Sequence, residues 1–372
     1  MKNKQEYAML LESLETGKQF LDVNGLKVEL RNCADRAPGR PDPRSSAAAA
    51  VTLESFRKDK ALLDPELLGN LVHLIGPEDK ENMPLLARLR QEFGWRSSDL
   101  STGIRTTCVE HPGFRLWQYE KPAARENRPC LLFIHGGGFF GGDICTVENQ
   151  CKLLAQYMDG VVFSVEYPLA PENKYPKGFN ACYDALCWIC GHAAELGIDP
   201  GKIGISGDSA GGNLAVACAL RARDEGRDML AYQCLIYPTV SRKESVRNAT
   251  YWKPEDYDDP ENDPLIQTQI RVIGTMDACN EWYLEGNEDL CDPYLSPVFA
   301  DLKGLPKTLL IAAEYDFLRA ECEAFSRKME QAGVEHRHIR YGGLFHGTFD
   351  RLGYAPQVED ILLRIAEDMK NL

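Results

Sequence analysis

From about residue 105 onward, short unbroken apolar runs alternate with segments of helical spacing, and this rhythm constrains the fold more than any other feature. The runs are PCLLFIH, GVVFSVEY, KIGIS, YQCLIYP and, much later, KTLLIAAEYD. Helical segments fall near 146–158, 176–196 and 210–224. Each apolar run is too short for a helix and lacks strict alternation, which is the signature of a strand buried on both faces. Strands alternating with helices require right-handed crossovers and a mostly parallel sheet covered on both sides. The expected fold class is therefore α/β, with a domain spanning 105–372.

Residues 1–104 read differently, as a charged, mostly helical accessory layer or cap. Leu62, Leu63, Leu67, Leu68, Leu71, Val72 and Leu74 form one helical stripe, and Leu85, Leu86 and Leu89 form another. The segment RAPGRPDPRSS breaks any helix before them. Residues 241–290 interrupt the α/β rhythm as an acidic, proline-containing surface excursion. Its aromatics Tyr251, Trp252, Tyr257, Trp282 and Tyr283 either reach the mouth of a site or anchor the excursion to the body.

Composition narrows the partners. The 372 residues carry a formal net charge of -14, which repels nucleic-acid phosphates and anionic lipid headgroups. No stretch of about 18 apolar residues predicts a membrane span, and the polar start lacks the apolar core of a secretory signal. The thirteen cysteines are odd in number and scattered, as expected of free thiols in a reducing, cytoplasmic setting. Cys187 and Cys190 form a CxxC within an apolar helical pattern, where packing is the expected role.

The chemistry concentrates in two glycine motifs. Gly207, Ser209 and Gly211 make a G-x-S-x-G between the strand KIGIS and the helix NLAVACAL. A serine on so sharp a strand-to-helix turn is lifted clear of the sheet, with the positive end of a helix beside it. The second motif, His135-Gly136-Gly137-Gly138, ends the strand LLFI. Acyl transfer builds negative charge on a carbonyl oxygen, and closely spaced amides can stabilise it. Gly137, Gly138 and Ala210 are the expected donors. A phosphate loop needs a lysine after its glycines, and GISGDSAGG has none.

A serine nucleophile needs a base and an orienting carboxylate. Only His336, His338 and His346 follow Ser209. His336 and His338 lie two apart in a strand-like stretch, as packing or surface histidines of an edge strand. As an H-x-H pair they lack a third ligand, so no metal site is expected. His346 lies beyond Gly342-Gly343, in a loop where its ring can swing over the sheet edge, and is the expected base. Asp316, just past the strand TLLIAA, is the expected acid, with Glu314 as the alternative.

These motifs together resemble the hormone-sensitive-lipase-like family of α/β-hydrolase esterases and lipases. The matching residues are HGGG at 135–138, Tyr167 with LAPE at 169–172, Asp199-Pro200, GDSAGGN at 207–213 and Tyr237-Pro238. Further on come SP at 296–297, GLP at 304–306, Asp316 with Leu318-Arg319 and Glu321, and His346-Gly347. The resemblance covers roughly 105–372 and picks the same Ser209, Asp316, His346, Gly137, Gly138 and Ala210. It implies an eight-stranded, mostly parallel sheet and a helical N-terminal cap. It also implies hydrolysis of small-molecule short- to medium-acyl esters without a cofactor, acetyl esters included. Asp208 matches the GDSAG form and is expected to support the loop. Pro168 and Ala320 depart from the family pattern and bear on the shape of the cap.

Phe139 and Phe140 follow the glycines and are expected to narrow the acyl pocket to acetyl to butyryl groups. The same machinery suits an amidase or peptidase, and a non-catalytic small-molecule receptor is the reading from another class. A homo-oligomer is compatible with this reading.

Overall fold

A computed structural model of the chain describes residues 4–47, 49, 86, 87, 90, 91, 94–122, 126–243, 253–271 and 278–372. The leucine stripe at 62–74, Leu85, Leu89, Tyr251 and Trp252 lie outside the described residues.

The described residues form one ten-stranded sheet in the order β1-β2-β10-β9-β8-β7-β5-β6-β4-β3. The strands are β1 (Gln19–Val23), β2 (Leu26–Arg31), β3 (Arg105–His111), β4 (Phe114–Glu120), β5 (Arg128–Ile134), β6 (Val161–Glu166), β7 (Ile198–Asp208), β8 (Tyr232–Ile236), β9 (Lys307–Ala313) and β10 (His336–Tyr341). From β2 across to β6 every neighbouring pair is parallel; at the flanks β1 pairs antiparallel with β2, and β4 pairs antiparallel with both β6 and β3.

The resemblance implied eight strands and the sheet has ten; the runs read from the sequence are β5 to β10. Of the remaining four, β1 and β2 come from residues 19–31, inside the region expected to be helical. Asn24 and Gly25, with φ of 53° and 86°, turn the chain between them, and Gly25 N donates to Asp22 Oδ1 at 2.7 Å. Two consecutive positive-φ residues match the twist of a two-residue hairpin. This hairpin pairs β2 with β10, so β10 is an interior strand and not the expected edge. His338 is accordingly buried there.

Continuous apolar runs arise because the sheet has a core on each face. Cys130, Leu132 and Ile134 of β5 join one core; Leu131 and Phe133 join the other. Each fully buried side chain of this size contributes about 1.5–3 kcal/mol. On the first face lie α3 (Lys177–Gly191), α4 (Ala210–Asp224) and α7 (Arg319–Gln331). On the second lie α2 (Glu148–Met158) and α8 (Pro356–Lys370), with α1 (Lys4–Thr16) packed against α8. The excursion contributes α5 (Pro264–Arg271) and α6 (Ala278–Tyr283).

Strand order reverses between β5 and its neighbours β6 and β7, and α/β proteins bind ligands outside the carboxyl ends of strands at such a reversal. The loops after β5, β7, β8, β9 and β10 all leave at that edge.

Candidate active site

Ser209 links β7 to α4 with φ 54° and ψ -118°. Such a conformation is costly for a residue with a Cβ and persists only where its surroundings enforce it. Here they do: Ser209 N donates to Ile236 O at 2.9 Å, and Ser209 O accepts from Asn213 N at 3.1 Å. Asn213 in turn donates to Thr239 O and Leu295 O at 2.9 and 3.0 Å. A Cβ on Gly207 would stand 2.3 Å from Gly211 O, so only glycine admits this close passage of strand and helix.

Ser209 Oγ lies 2.9 Å from His346 Nε2, and His346 Nδ1 lies 2.7 Å from Asp316 Oδ2. The structure thus brings together the three side chains expected from the sequence, across 137 and 30 residues of chain. Asp316 and His346 meet because the ends of β9 and β10 are stitched together. Glu314 N donates to Tyr341 O and Tyr315 N to Leu344 O, at 3.1 and 2.9 Å. The alternative acid, Glu314, is engaged elsewhere, by Gly343 N at 2.7 Å and by Arg36.

Asp316 is fully buried, with its other oxygen accepting from Leu318 N at 2.8 Å and its carbonyl from Tyr257 Oη at 2.7 Å. Burial works against a charged His346 ring, but the facing Asp316 carboxylate and its hydrogen bond outweigh it, and the imidazole pKa is raised above 6.5. Tyr237 and Phe317 flank the imidazole with ring centroids 4.9 Å away, and Tyr237 Oη accepts from Phe349 N at 2.9 Å.

The loop after β5 runs alongside. Gly137 and Gly138 have φ of 126° and 60°, and a Cβ on Gly137 would stand 2.0 Å from Gly141 O. Gly137 O accepts from Phe140 N and Gly141 N at 3.1 and 2.8 Å, making a tight turn. Ala210 opens α4, so its amide has no preceding helical carbonyl to bind. Asp208 Oδ1 accepts from Gly136 N at 2.8 Å and ties the loop to the serine turn. Burial pushes the Asp208 carboxyl up to about 6. Tyr167 Oη secures the loop's start by donating to His135 O at 3.0 Å.

Phe139 stacks on Tyr283 at 3.9 Å, and Phe140 meets Trp282 edge-on at 4.7 Å. The excursion is therefore anchored through α6 on the glycine loop itself. Cys187 and Cys190 lie on α3, as the spacing implies, and burial raises both thiol pKa values.

Cys33, Asp35 and Asp42 come within 4.8 Å of one another. Arg44 already binds both carboxylates, and burial pushes the Cys33 thiol up to about 12. That donor set is satisfied by the arginine and does not suit a cation. Among the described residues, no helix is long and apolar enough to cross a membrane.

Residues 131–350 match the family model described as the alpha/beta hydrolase fold. Carboxylesterase NlhH of Mycobacterium tuberculosis is 35% identical over 233 residues, covering 62% of this chain and 69% of that protein. Arylacetamide deacetylase of Bos taurus is 30% identical over 371 residues, covering 84% and 91%. Among solved structures, an esterase of Pyrobaculum calidifontis superposes with a TM-score of 0.62 at 32% identity, covering 83% of this chain and 98% of that one. The chain belongs to the α/β-hydrolase family, in its hormone-sensitive-lipase-like branch.

Proposed function

We propose that the protein is a serine carboxylesterase that cleaves small-molecule esters through an acyl-enzyme, favouring acetyl to butyryl groups. The observation that carries this reading is the unbroken relay from Asp316 through His346 to Ser209, held at hydrogen-bonding distance at both steps.

His346, with its proton on Nδ1 facing Asp316, takes the Ser209 hydroxyl proton on Nε2 as Oγ bonds to the ester carbonyl carbon. The carbonyl π pair moves onto oxygen, and the amides of Gly137, Gly138 and Ala210 stabilise that charge. Collapse breaks the carbon–alkoxy bond, and the imidazolium delivers its proton to the leaving alcohol. Water then repeats the sequence on the acyl-enzyme, releasing the acid and restoring Ser209. Asp316 keeps the tautomer and offsets the imidazolium charge.

The short-acyl preference rests on the aromatic cluster of Phe139, Phe140, Trp282 and Tyr283 packed beside the glycine loop. A second reading, deacetylation of amides, is favoured by the similarity to arylacetamide deacetylase over most of the chain. Matched acetate ester and acetanilide substrates separate the two. The primary test is Ser209→Ala on p-nitrophenyl acetate. Its kcat is expected to fall at least about 10³-fold; near-native turnover refutes the reading.

A further inference from the structure

We propose that Arg90, supplied by the N-terminal region, is a positioning residue that pins the oxyanion loop for the transition state; this rests on the function proposed above. Gly137 and Gly138, whose amides are assigned to the oxyanion, are the residues with the weakest backbone preference of their own. Their alignment must be imposed by the contacts that hold the loop. Inside the turn, Gly137 O holds Phe140 N and Gly141 N. On the outer side, Arg90 Nε donates to Phe140 O at 2.7 Å and Arg90 Nη2 to Ala170 O at 2.7 Å.

The arginine is itself fixed by a two-pronged pair with Glu172, Nη1 to Oε1 at 2.8 Å and Nη2 to Oε2 at 2.6 Å. Ala170 N also donates to Phe139 O at 3.0 Å. One planar cation therefore couples the glycine turn to the segment after β6, a geometry that lysine cannot reproduce. Arg90 lines a cavity of about 340 Å³ with His135, Gly142, Glu166 and Glu172. Its loss would leave the Phe140 carbonyl facing that space, with slack in the turn.

Amides aimed at the oxyanion bind the transition state more than the ground state, so misalignment lowers kcat with little effect on KM. In the full-length protein, Arg90→Ala is expected to lose about 10–100-fold in kcat on p-nitrophenyl acetate, with KM changed by no more than about two-fold. Because Arg90 is 25% exposed and borders an open cavity, added ethylguanidinium is expected to restore part of that kcat. Ethylammonium at equal concentration is not, and Arg90→Lys recovers only a fraction. Should Arg90→Ala fail to fold, Glu172→Gln provides the reading: it keeps the arginine but loosens the fork, and a smaller kcat loss at constant KM is expected. Native kcat in a folded Arg90→Ala or in Glu172→Gln, a loss confined to KM, or no guanidinium rescue overturns the proposal while the native enzyme's ester hydrolysis stands. If the native protein turns over no ester, the proposed function fails and this inference fails with it.

Discussion

A Cβ placed on Gly211 would stand 2.0 Å from the carbonyl oxygen of Ile134, so the first turn of α4 touches the end of β5 directly. That contact locks the serine turn onto the strand that carries the glycine loop. The Ser209 turn and the glycine loop are thereby set by one close approach of backbone to backbone.

Gly211→Ala therefore forces backbone apart, with no flexible side chain able to yield. A loss of about 3 kcal/mol or more is expected, read as a lower midpoint in urea together with reduced activity. Native stability and native activity would show that the strand and helix ends can separate freely.

Asp316→Asn removes the carboxylate that raises the His346 pKa and destabilises the working tautomer. Acting as the proposed base, His346 must be neutral, so kcat/KM is expected to rise with pH through a value above 6.5. The variant should lose about 10³–10⁴-fold in kcat, with its acidic limb displaced to lower pH. A pH–rate profile of both proteins checks this; an unchanged limb contradicts the assignment.

Asp208 ionises at about 6 in the folded chain against an ordinary 3.8. Between those values the folded state holds a proton that the unfolded state has lost, so this group's stabilisation is present below 3.8 and is lost as pH rises through about 6. Asp208→Asn keeps an acceptor for Gly136 N but cannot ionise. The difference in Tm between variant and native protein is expected to move in the variant's favour from pH 4 to pH 6, whereas a constant difference argues against a buried, raised carboxyl.

Acyl preference is read with a series of p-nitrophenyl esters. The expected optimum in kcat/KM lies at acetyl to butyryl, falling for chains of about ten carbons. An optimum at the long end would mean that the Phe139 and Phe140 aromatics do not bound the acyl site.

Most of the site was legible in the sequence because its parts are local patterns. The spacing of Gly207, Ser209 and Gly211 implies the turn, and residues 210–224 were expected to form the helix observed as Ala210–Asp224. Asp316 and His346 followed from chain order and from lying just past strand ends. The hairpin at 19–31 was missed although Asn24-Gly25 between apolar alternations was a usable signal; the charged surroundings masked it. The β3–β4 ribbon was missed for a related reason, since β3 is an edge strand in which only Thr106 and Val109 are half-buried and the rest are exposed. Arg90 could not be foreseen. Its partner Phe140 is 50 residues away, and no local pattern distinguishes a clamping arginine from a solvated one.

The most direct test is intact and peptide-level mass spectrometry of the native protein treated with a fluorophosphonate. A single adduct, located on Ser209 and formed in step with the loss of esterase activity, is the expected result. Full esterase activity with Ser209 unlabelled, or inactivation by an adduct on another residue, would contradict the account.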